Sequence, residues 1–297
     1  MEKQSAIPFN VATLVCKRDF EQTVAAVSSF VRFCADPFRL ALVEDGSLEK
    51  KDLERLSNAL PGCEVVSAKQ ADDVVHKWLH KMPACCRYRG ASPMGRKLFD
   101  VPMLYAGESL FYFDSDVLFF RKFSLVEVIA NSQEADVFVH INSTTGYSAK
   151  PWELKWRFCF RPYAQINAGI YCLRMDPQSL EFAERFLESA TLNRFPFLSE
   201  QTIWACGART QRAIRVFDPH QIACPVDKWQ TLKSVVALHF ISPVRHLMAK
   251  FLNCDTSHSV TDEEVVMLKT LPAVPLGIRD IMQHSMFRHL RRKRCLN

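Results

Sequence analysis

Apolar runs and amphipathic helices alternate along the first part of the chain, and this alternation restricts the fold more than any other feature. Residues 9–16 form a short apolar run typical of a buried strand. Two further strands are predicted at 39–45 and 63–68, with a helix at 49–60 between them. The first helix has an apolar face with spacings of four and three: Phe20, Val24, Val27, Val31 and Cys34. Strands separated by helices indicate a mostly parallel sheet with helices on both faces.

The remainder of the chain continues the α/β pattern, although residues 69–95 are less regular. Strands are predicted at 109–113, 135–141, 166–175 and 235–240, and helices at 96–106, 178–190 and 200–208. No repeat, low-complexity segment or long linker interrupts this order. We therefore expect a single Rossmann-like domain over residues 1–275, followed by a tail at 276–297.

Two capping boxes are predicted from local spacing. Asp19 stands three residues before Gln22 at the start of the first helix, and Thr261 stands three residues before Glu264. The second box predicts a helix over 261–271.

Composition excludes several classes of protein. Hydrophobic residues make up 48% and charged residues 24%, which excludes a disordered chain, a collagen and a coiled coil. The net charge is +6, but residues 281–297 hold five Arg or Lys and no acid. The rest of the chain is therefore close to neutral, and we expect no nucleic acid partner.

Cysteine usage and hydropathy predict a cytoplasmic protein. The 11 cysteines are an odd number, and no two have the CxxC spacing, which favours thiols in a reducing compartment. No segment has the roughly 18 consecutive apolar residues of a membrane-spanning helix. The N-terminal apolar run contains Pro8 and Asn10 and lacks a clear cationic start, so we do not expect a signal peptide.

The segment 110-LFYFDSDVLFF-120 carries the clearest chemical signal. Asp114 and Asp116 follow an apolar strand at its carboxyl end, where open α/β sheets bind ligands. Side chains at i and i+2 of an extended chain point the same way, so both carboxylates can approach one hard divalent cation. The alternative is a turn whose two aspartates face water.

Four motifs in this order resemble the GT-A glycosyltransferases, and among them glycosyltransferase family 8. Besides the D-x-D pair, these are Asn167-Ala168-Gly169 at the start of a strand, Glu200-Gln201 at the start of a helix, and a late strand ending in His239. The resemblance extends from residue 9 to about 250. It departs from the family pattern where Ser242 replaces a glycine and Arg245 replaces a lysine, although arginine keeps the positive charge.

The resemblance implies a set of site residues. Asp114, Asp116 and His239 would bind Mn²⁺ or Mg²⁺, and Asn167, Glu200 and Gln201 would be catalytic. The donor, a UDP-sugar, would contact residues near the ends of the strands and one cation before the D-x-D strand: Thr13, Leu14, Val15, Glu44, Asp45, Arg96, Lys97, Asp114, Ser115, Ala168, Gly169, Ser242 and Arg245. Lys97 matches the family's cation better than Arg96.

Each of these residues also has a purely structural interpretation. His239 can be a hydrogen-bonded core histidine, and Gly169 can relieve a crowded sheet. Glu200 is suited to the first turn of a helix, while Asn167 can satisfy backbone groups and Gln201 can lie on the surface.

The resemblance implies transfer of a hexose to a glycan or lipid-linked acceptor with retention of configuration. Residues 43-VEDGS-47 also resemble the inverting family 2 enzymes, so an inverting transferase remains an alternative. A non-catalytic nucleotide-sugar-binding protein is a second alternative. A phosphohydrolase of the haloacid-dehalogenase kind is a third, but Val117-Leu118 does not continue its motif.

The C-terminal tail mixes apolar and basic residues. Ile281, Met282, Met286, Phe287 and Leu290 alternate with His284, Arg288 and His289, and a basic run follows at 291–294. This pattern predicts peripheral binding to an anionic membrane surface, on the cytoplasmic face of the membrane. A solvated tail is the alternative.

Overall fold

A computed structural model describes residues 8–140, 146–158, 162–175, 179–206, 213–224, 235–252 and 264–277. The strands within these residues are β1 (Phe9–Val15), β2 (Phe38–Glu44), β3 (Glu64–Val66), β4 (Ser109–Phe113), β5 (Val117–Phe119), β6 (Phe123–Ser124), β7 (Ala135–His140), β8 (Ile166–Arg174), β9 (Ala213–Phe217), β10 (Ile222–Ala223), β11 (Ala237–His239), β12 (Val266–Met267) and β13 (Thr270–Pro272). Eight of them form the central sheet, in the order β13-β9-β7-β8-β4-β1-β2-β3.

The helices connect these strands and pack on the sheet. They are α1 (Phe20–Phe33), α2 (Lys50–Ala59), α3 (Ala68–Leu79), α4 (Pro83–Ala91), α5 (Pro93–Leu104), α6 (Val126–Asn131), α7 (Pro151–Phe158), α8 (Ser179–Glu188), α9 (Ser199–Ala205) and α10 (Met248–Leu252). Short 3-10 helices lie at Lys17–Asp19, Pro196–Leu198 and Ser242–Leu247.

The predicted fold class is confirmed: this is an α/β domain with a mostly parallel central sheet. The four pairs β1/β2, β1/β4, β2/β3 and β7/β9 are parallel. The three pairs β4/β8, β7/β8 and β13/β9 are antiparallel. Because β8 runs against β4, the start of β8 lies beside the carboxyl end of β4, where the D-x-D motif begins.

The two faces of the sheet bury separate hydrophobic clusters. In β4, Leu110 and Tyr112 face a cluster that includes α3, α4, α5, α8 and α9. Phe111 and Phe113 face the other cluster, which includes α1, α2 and α6. This alternation is the period-two pattern of a strand that is covered on both sides. The burial fixes β4 and leaves Asp114 at its end.

A second, smaller sheet has the strand order β10-β11-β5. In it β5 pairs antiparallel with β11, so that His239 lies opposite Val117. The register places the end of β11 next to Asp116.

Three local predictions are corrected. Residues 69–95, where no regular element was predicted, contain α3 and α4, and α3 begins with a capping box between Ser67 and Gln70. The part of 261–271 that the structure describes contains β12 and β13, which pair with β6 and β9; Thr261 lies outside the described residues. Asp19 does precede α1, but its side chain does not cap the helix.

None of the helices in the described part of the chain is long and apolar enough to cross a membrane. The tail from residue 278 onward lies outside the described residues. Leu276, two residues before position 278, is buried in the domain core.

Candidate active site and metal centre

A tight turn between β4 and β5 holds the two aspartates. The Asp114 N–H donates to the Gly169 carbonyl at 2.7 Å, and the Val117 N–H donates back to the Asp114 carbonyl at 3.2 Å. The extended conformation predicted for residues 114–116 is wrong, because Ser115 and Asp116 form a turn. The turn itself brings the carboxylates together.

His239 completes a cluster of three potential metal ligands. Its Nε2 atom lies 3.0 Å from Asp116 Oδ1 and 3.7 Å from Asp114 Oδ2. One ligand atom from each of the three side chains lies within 4.8 Å of the others. The three residues come from the end of β4, the turn and the end of β11, so long-range pairing of strands builds the cluster.

The chemistry of this cluster fits a divalent cation. Asp116 Oδ1 is buried and accepts no hydrogen bond, although His239 Nε2 is near. An unsatisfied buried carboxylate oxygen is costly, and a cation would remove that cost. Two carboxylates and one imidazole form an O/N ligand set that suits Mn²⁺ and also admits Mg²⁺.

Electrostatics favours the ionised form of Asp116. Burial alone would raise its pKa, but His239 and Arg245 together lower the pKa below its usual range. Burial alone would lower the pKa of His239, but the neighbouring Asp116 carboxylate raises this pKa above its usual value. A metal ion that bound here would take the place of the imidazole proton.

Asp114 is held by two further side chains. Lys97 Nζ donates to Asp114 Oδ2 at 2.8 Å, and the Tyr112 hydroxyl donates to Asp114 Oδ1 at 2.6 Å. Burial lowers the pKa of Lys97, but Asp114 and Glu200 raise it above its ordinary value. Lys97 is therefore a buried cation directly at the D-x-D motif.

Glu200 lies behind Lys97 on α9. Its side chain is 4% exposed, and Oε1 is 3.7 Å from Lys97 Nζ. Oε1 accepts no hydrogen bond. Burial raises the pKa of Glu200 to about 7, against the opposing effect of Lys97.

Asn167 and Gln201 form a pair of amides beside Gly169. Asn167 Nδ2 donates to Gln201 Oε1 at 3.0 Å, and Asn167 Oδ1 accepts the Gly169 N–H at 2.8 Å. Gln201 Nε2 donates to the Gly146 carbonyl at 2.7 Å. These bonds fix both amides, so Gln201 is not a free surface side chain. Ala168, between Asn167 and Gly169, is buried.

Arg245 reaches the metal cluster from the 3-10 helix that Ser242 begins. Its Nε and Nη2 atoms donate to Asp116 Oδ2 at 2.9 and 2.5 Å. The sequence prediction assigned Arg245 to donor phosphate; in this structure its partner is a carboxylate.

The predicted nucleotide residues lie at the ends of β1 and β2. Thr13 and Val15 are fully buried, and Leu14 is partly buried. The Thr13 hydroxyl donates to the Phe113 carbonyl at 2.8 Å. Glu44 accepts the Ala68 N–H at the start of α3, and Asp45 accepts the Ser47 N–H. Contact of these residues with a nucleotide stays a prediction.

Arg96 is not brought to the cluster. Its Nη1 atom donates to Asp100 Oδ2 at 3.1 Å and lies 3.7 Å from Asp72. Lys97, the next residue, points to Asp114 instead, which agrees with the preference for Lys97.

Sequence reasoning missed three side chains around the cluster. Tyr112, predicted only as a strand residue, bonds to Asp114, and Asp19, predicted only as a helix cap, forms an ion pair with Arg245. Cys224 Sγ lies 3.8 Å from His239 Nδ1. No local spacing in the sequence indicates the contacts of Asp19 and Cys224. The phenol of Tyr112, two residues before Asp114, was the one polar group near the D-x-D motif that could have indicated its contact.

Comparisons of structure connect this fold with glycosyltransferases. The apo form of WbbM, a bifunctional glycosyltransferase, matches with a TM-score of 0.50 and 12% identity over 82% of this chain and 47% of WbbM. Mouse xyloside xylosyltransferase 1, in its apo form, matches with a TM-score of 0.49 and 10% identity over 80% of this chain and 99% of the enzyme. The galactosyltransferase LgtC, solved with donor and acceptor sugar analogues, matches with a TM-score of 0.47 and 10% identity over 86% and 98%.

No protein-family model matches the sequence, and no curated protein matches it. At about a tenth identity, structural likeness establishes the fold alone. The chain therefore has a GT-A type α/β fold with a candidate Asp-Asp-His metal site at the carboxyl end of β4.

Proposed function

We propose that this protein is a divalent-metal-dependent glycosyltransferase that moves a hexose from a UDP-sugar to a hydroxyl of a glycan or lipid-linked acceptor, with retention of configuration. One observation carries the proposal. Asp114, Asp116 and His239 converge within 4.8 Å at the carboxyl edge of a GT-A type sheet. Ligands bind at this edge in open α/β sheets.

The metal ligands would be Asp114, Asp116 and His239. A bound Mn²⁺ or Mg²⁺ supplies positive charge that stabilises the negative charge growing on UDP as it leaves. This chain adds its own cation, because Lys97 is buried and hydrogen-bonded to Asp114. Such fixed charge costs no reorganisation during the reaction.

Asn167 and Gln201 are the proposed contacts of the reacting sugar. Their side chains are already ordered by each other and by Gly146 and Gly169. A preorganised amide can stabilise the positive charge that develops at the anomeric carbon. In a retaining reaction the departing phosphate takes the proton of the acceptor hydroxyl on the same face, and no protein base is required.

The environment of Glu200 supports the retaining form of the proposal. An inverting transferase needs a base within hydrogen-bond reach of the acceptor. Glu200 is buried beside Lys97, so its carboxylate is better placed to orient that cation than to meet an incoming hydroxyl.

The test is release of UDP from a panel of UDP-hexoses by purified protein, with Mn²⁺ and with EDTA. We expect release only with the ion, and we expect Asp114→Asn and Asp116→Asn each to lower the rate by about a hundredfold or more. Asp73→Asn, which changes an exposed aspartate of α3, is the matched control. Circular dichroism checks that each variant is folded.

The outcomes separate the candidate functions. Full activity in EDTA would contradict a metal-dependent transferase. Binding of UDP-sugar without any turnover on an acceptor panel would favour the non-catalytic nucleotide-sugar-binding alternative.

A further inference from the structure

Asp116 uses its two carboxylate oxygens in different ways. Oδ2 accepts both donors of Arg245, at 2.9 and 2.5 Å. Oδ1 accepts no hydrogen bond and lies 3.0 Å from His239 Nε2. One oxygen is thus saturated by protein, and the other faces the remaining ligands of the candidate metal site.

On its other side, the guanidinium of Arg245 forms a longer ion pair without a hydrogen bond. Its Nη1 atom lies 3.7 Å from Asp19 Oδ2. Asp19 ends the 3-10 helix Lys17–Asp19 directly after β1, and its side chain is 12% exposed. Arg18 also donates to Asp19, at 2.8 and 3.0 Å. Arg245 therefore bridges two carboxylates that are 97 positions apart in sequence.

This geometry differs from that of an unpaired cation that is available to bind phosphate. A planar guanidinium can bind two partners at once through separate N–H groups, whereas a lysine ammonium is a single point charge. Asp19, which Arg18 also pairs, offsets the charge of Arg245 in part, and the guanidinium orients Asp116 through its two hydrogen bonds to Oδ2. Outer partners of this kind commonly set the orientation of metal ligands.

We infer that Arg245, anchored by Asp19, is a positioning residue that turns Asp116 Oδ1 toward the metal. The inference rests on the proposed function, and it gives Arg245 a role that does not need the donor to be present. A residue that only contacts phosphate would not affect metal binding before the nucleotide arrives.

The test is titration of the protein with MnCl₂ alone, followed by electron paramagnetic resonance of free Mn²⁺. We expect Arg245→Gln to weaken Mn²⁺ binding about tenfold or more, in the range found for outer partners of metal ligands. Arg245→Lys should restore part of the affinity, because it can reach Asp116 but cannot hold Asp19 as well. Asp19→Asn should cause a smaller loss.

Arg55→Gln is the matched control, since Arg55 is exposed on α2 and pairs with Glu21. It should bind Mn²⁺ like the wild type. Urea unfolding checks each variant, and if Arg245→Gln does not fold, the comparison of Arg245→Lys and Asp19→Asn with wild type decides.

Two results would overturn the inference in distinguishable ways. Equal or tighter Mn²⁺ binding by the Arg245 variants, with normal binding by the wild type, would overturn the positioning role and leave the proposed function intact. No Mn²⁺ binding by the wild type, with or without UDP, would overturn the metal site and the proposed function together.

Discussion

Gly169 lies directly against the imidazole of His239. A Cβ atom at position 169 would stand 1.9 Å from His239 Cε1 and 2.5 Å from Nε2. No side chain fits in that space, so the ring lies where only a glycine allows it. The Asn-Ala-Gly motif and the late histidine, read separately in the sequence, are parts of one packing contact.

Gly169→Ala should therefore damage the metal site. The added methyl group has to displace the His239 ring, and we expect Mn²⁺ affinity to fall about tenfold or more, as for other disturbed ligand geometries. Overpacking should also lower the free energy of unfolding by about 1–3 kcal/mol. Mn²⁺ titration and urea unfolding measure the two effects.

Gly90→Ala provides the control for this substitution. Gly90 is within α4, and a Cβ there would meet nothing within 4 Å. It should leave Mn²⁺ binding unchanged. Equal Mn²⁺ affinity in Gly169→Ala and wild type would show that His239 is not held by this contact.

Glu200 should make stability depend on pH. Burial raises its pKa in the folded protein to about 7 from the ordinary value of 4.5, so the folded state binds the proton more tightly than the unfolded state. Its contribution to stability is complete below pH 4.5 and is lost as the pH rises through about 7. A change of this size corresponds to about 3 kcal/mol.

Urea unfolding of metal-free protein between pH 5 and 8 is the measurement. Glu200→Gln cannot ionise, so its stability should gain on that of the wild type as the pH rises across this range. Glu127→Gln, at an exposed position of α6, should keep the wild-type profile. Parallel curves for Glu200→Gln and wild type would contradict a buried, proton-binding Glu200.

The elements that follow from local pattern were predictable from the sequence. Strands β1 and β4 have the apolar runs that burial on both faces requires. The end of the apolar run in β4 correctly predicted the position of Asp114 at the edge of the sheet. The helix expected at 261–271 failed because a local capping signal was outweighed by pairing of β12 with β6 and of β13 with β9. Distant strands decide such a segment, and no window of sequence contains them.

The same limit applies to the site. The four motifs predicted the metal ligands, Asn167 and Gln201, but they did not predict the hydrogen bonds and ion pairs that these residues make. Asp19 was missed because its charged partner Arg245 is far away in the chain. A local interpretation as a helix cap was the only one the sequence offered.

Gln201 should be required for turnover and not for binding of metal or donor. Its amide bonds to Asn167 and to the Gly146 carbonyl rather than to a metal ligand. We expect Gln201→Ala to lower kcat at least about a hundredfold and to leave Mn²⁺ affinity unchanged.

Anomeric coupling in the proton NMR spectrum of the wild-type product should show the configuration of the donor; an inverted product would favour the inverting alternative.

The C-terminal tail should bind anionic membrane without taking part in the chemistry. Residues 281–297 carry five Arg or Lys and no acid, and each positive charge is worth about 1 kcal/mol at an anionic surface. The neighbouring Met, Phe and Leu side chains can insert at the headgroup boundary. This attraction is mainly Coulombic, so it should weaken as salt rises.

A chain that ends at Gly277 tests this role. It retains Leu276, which is buried in the core and donates its N–H to the Pro162 carbonyl at 2.9 Å, so the domain should stay folded. We expect the shortened protein to lose co-sedimentation with phosphatidylglycerol vesicles at low salt and to keep metal-dependent UDP release on a soluble acceptor. Phosphatidylcholine vesicles are the control surface. If the full-length and shortened proteins sediment alike, the tail is a solvated end and the peripheral, cytoplasmic-face assignment fails.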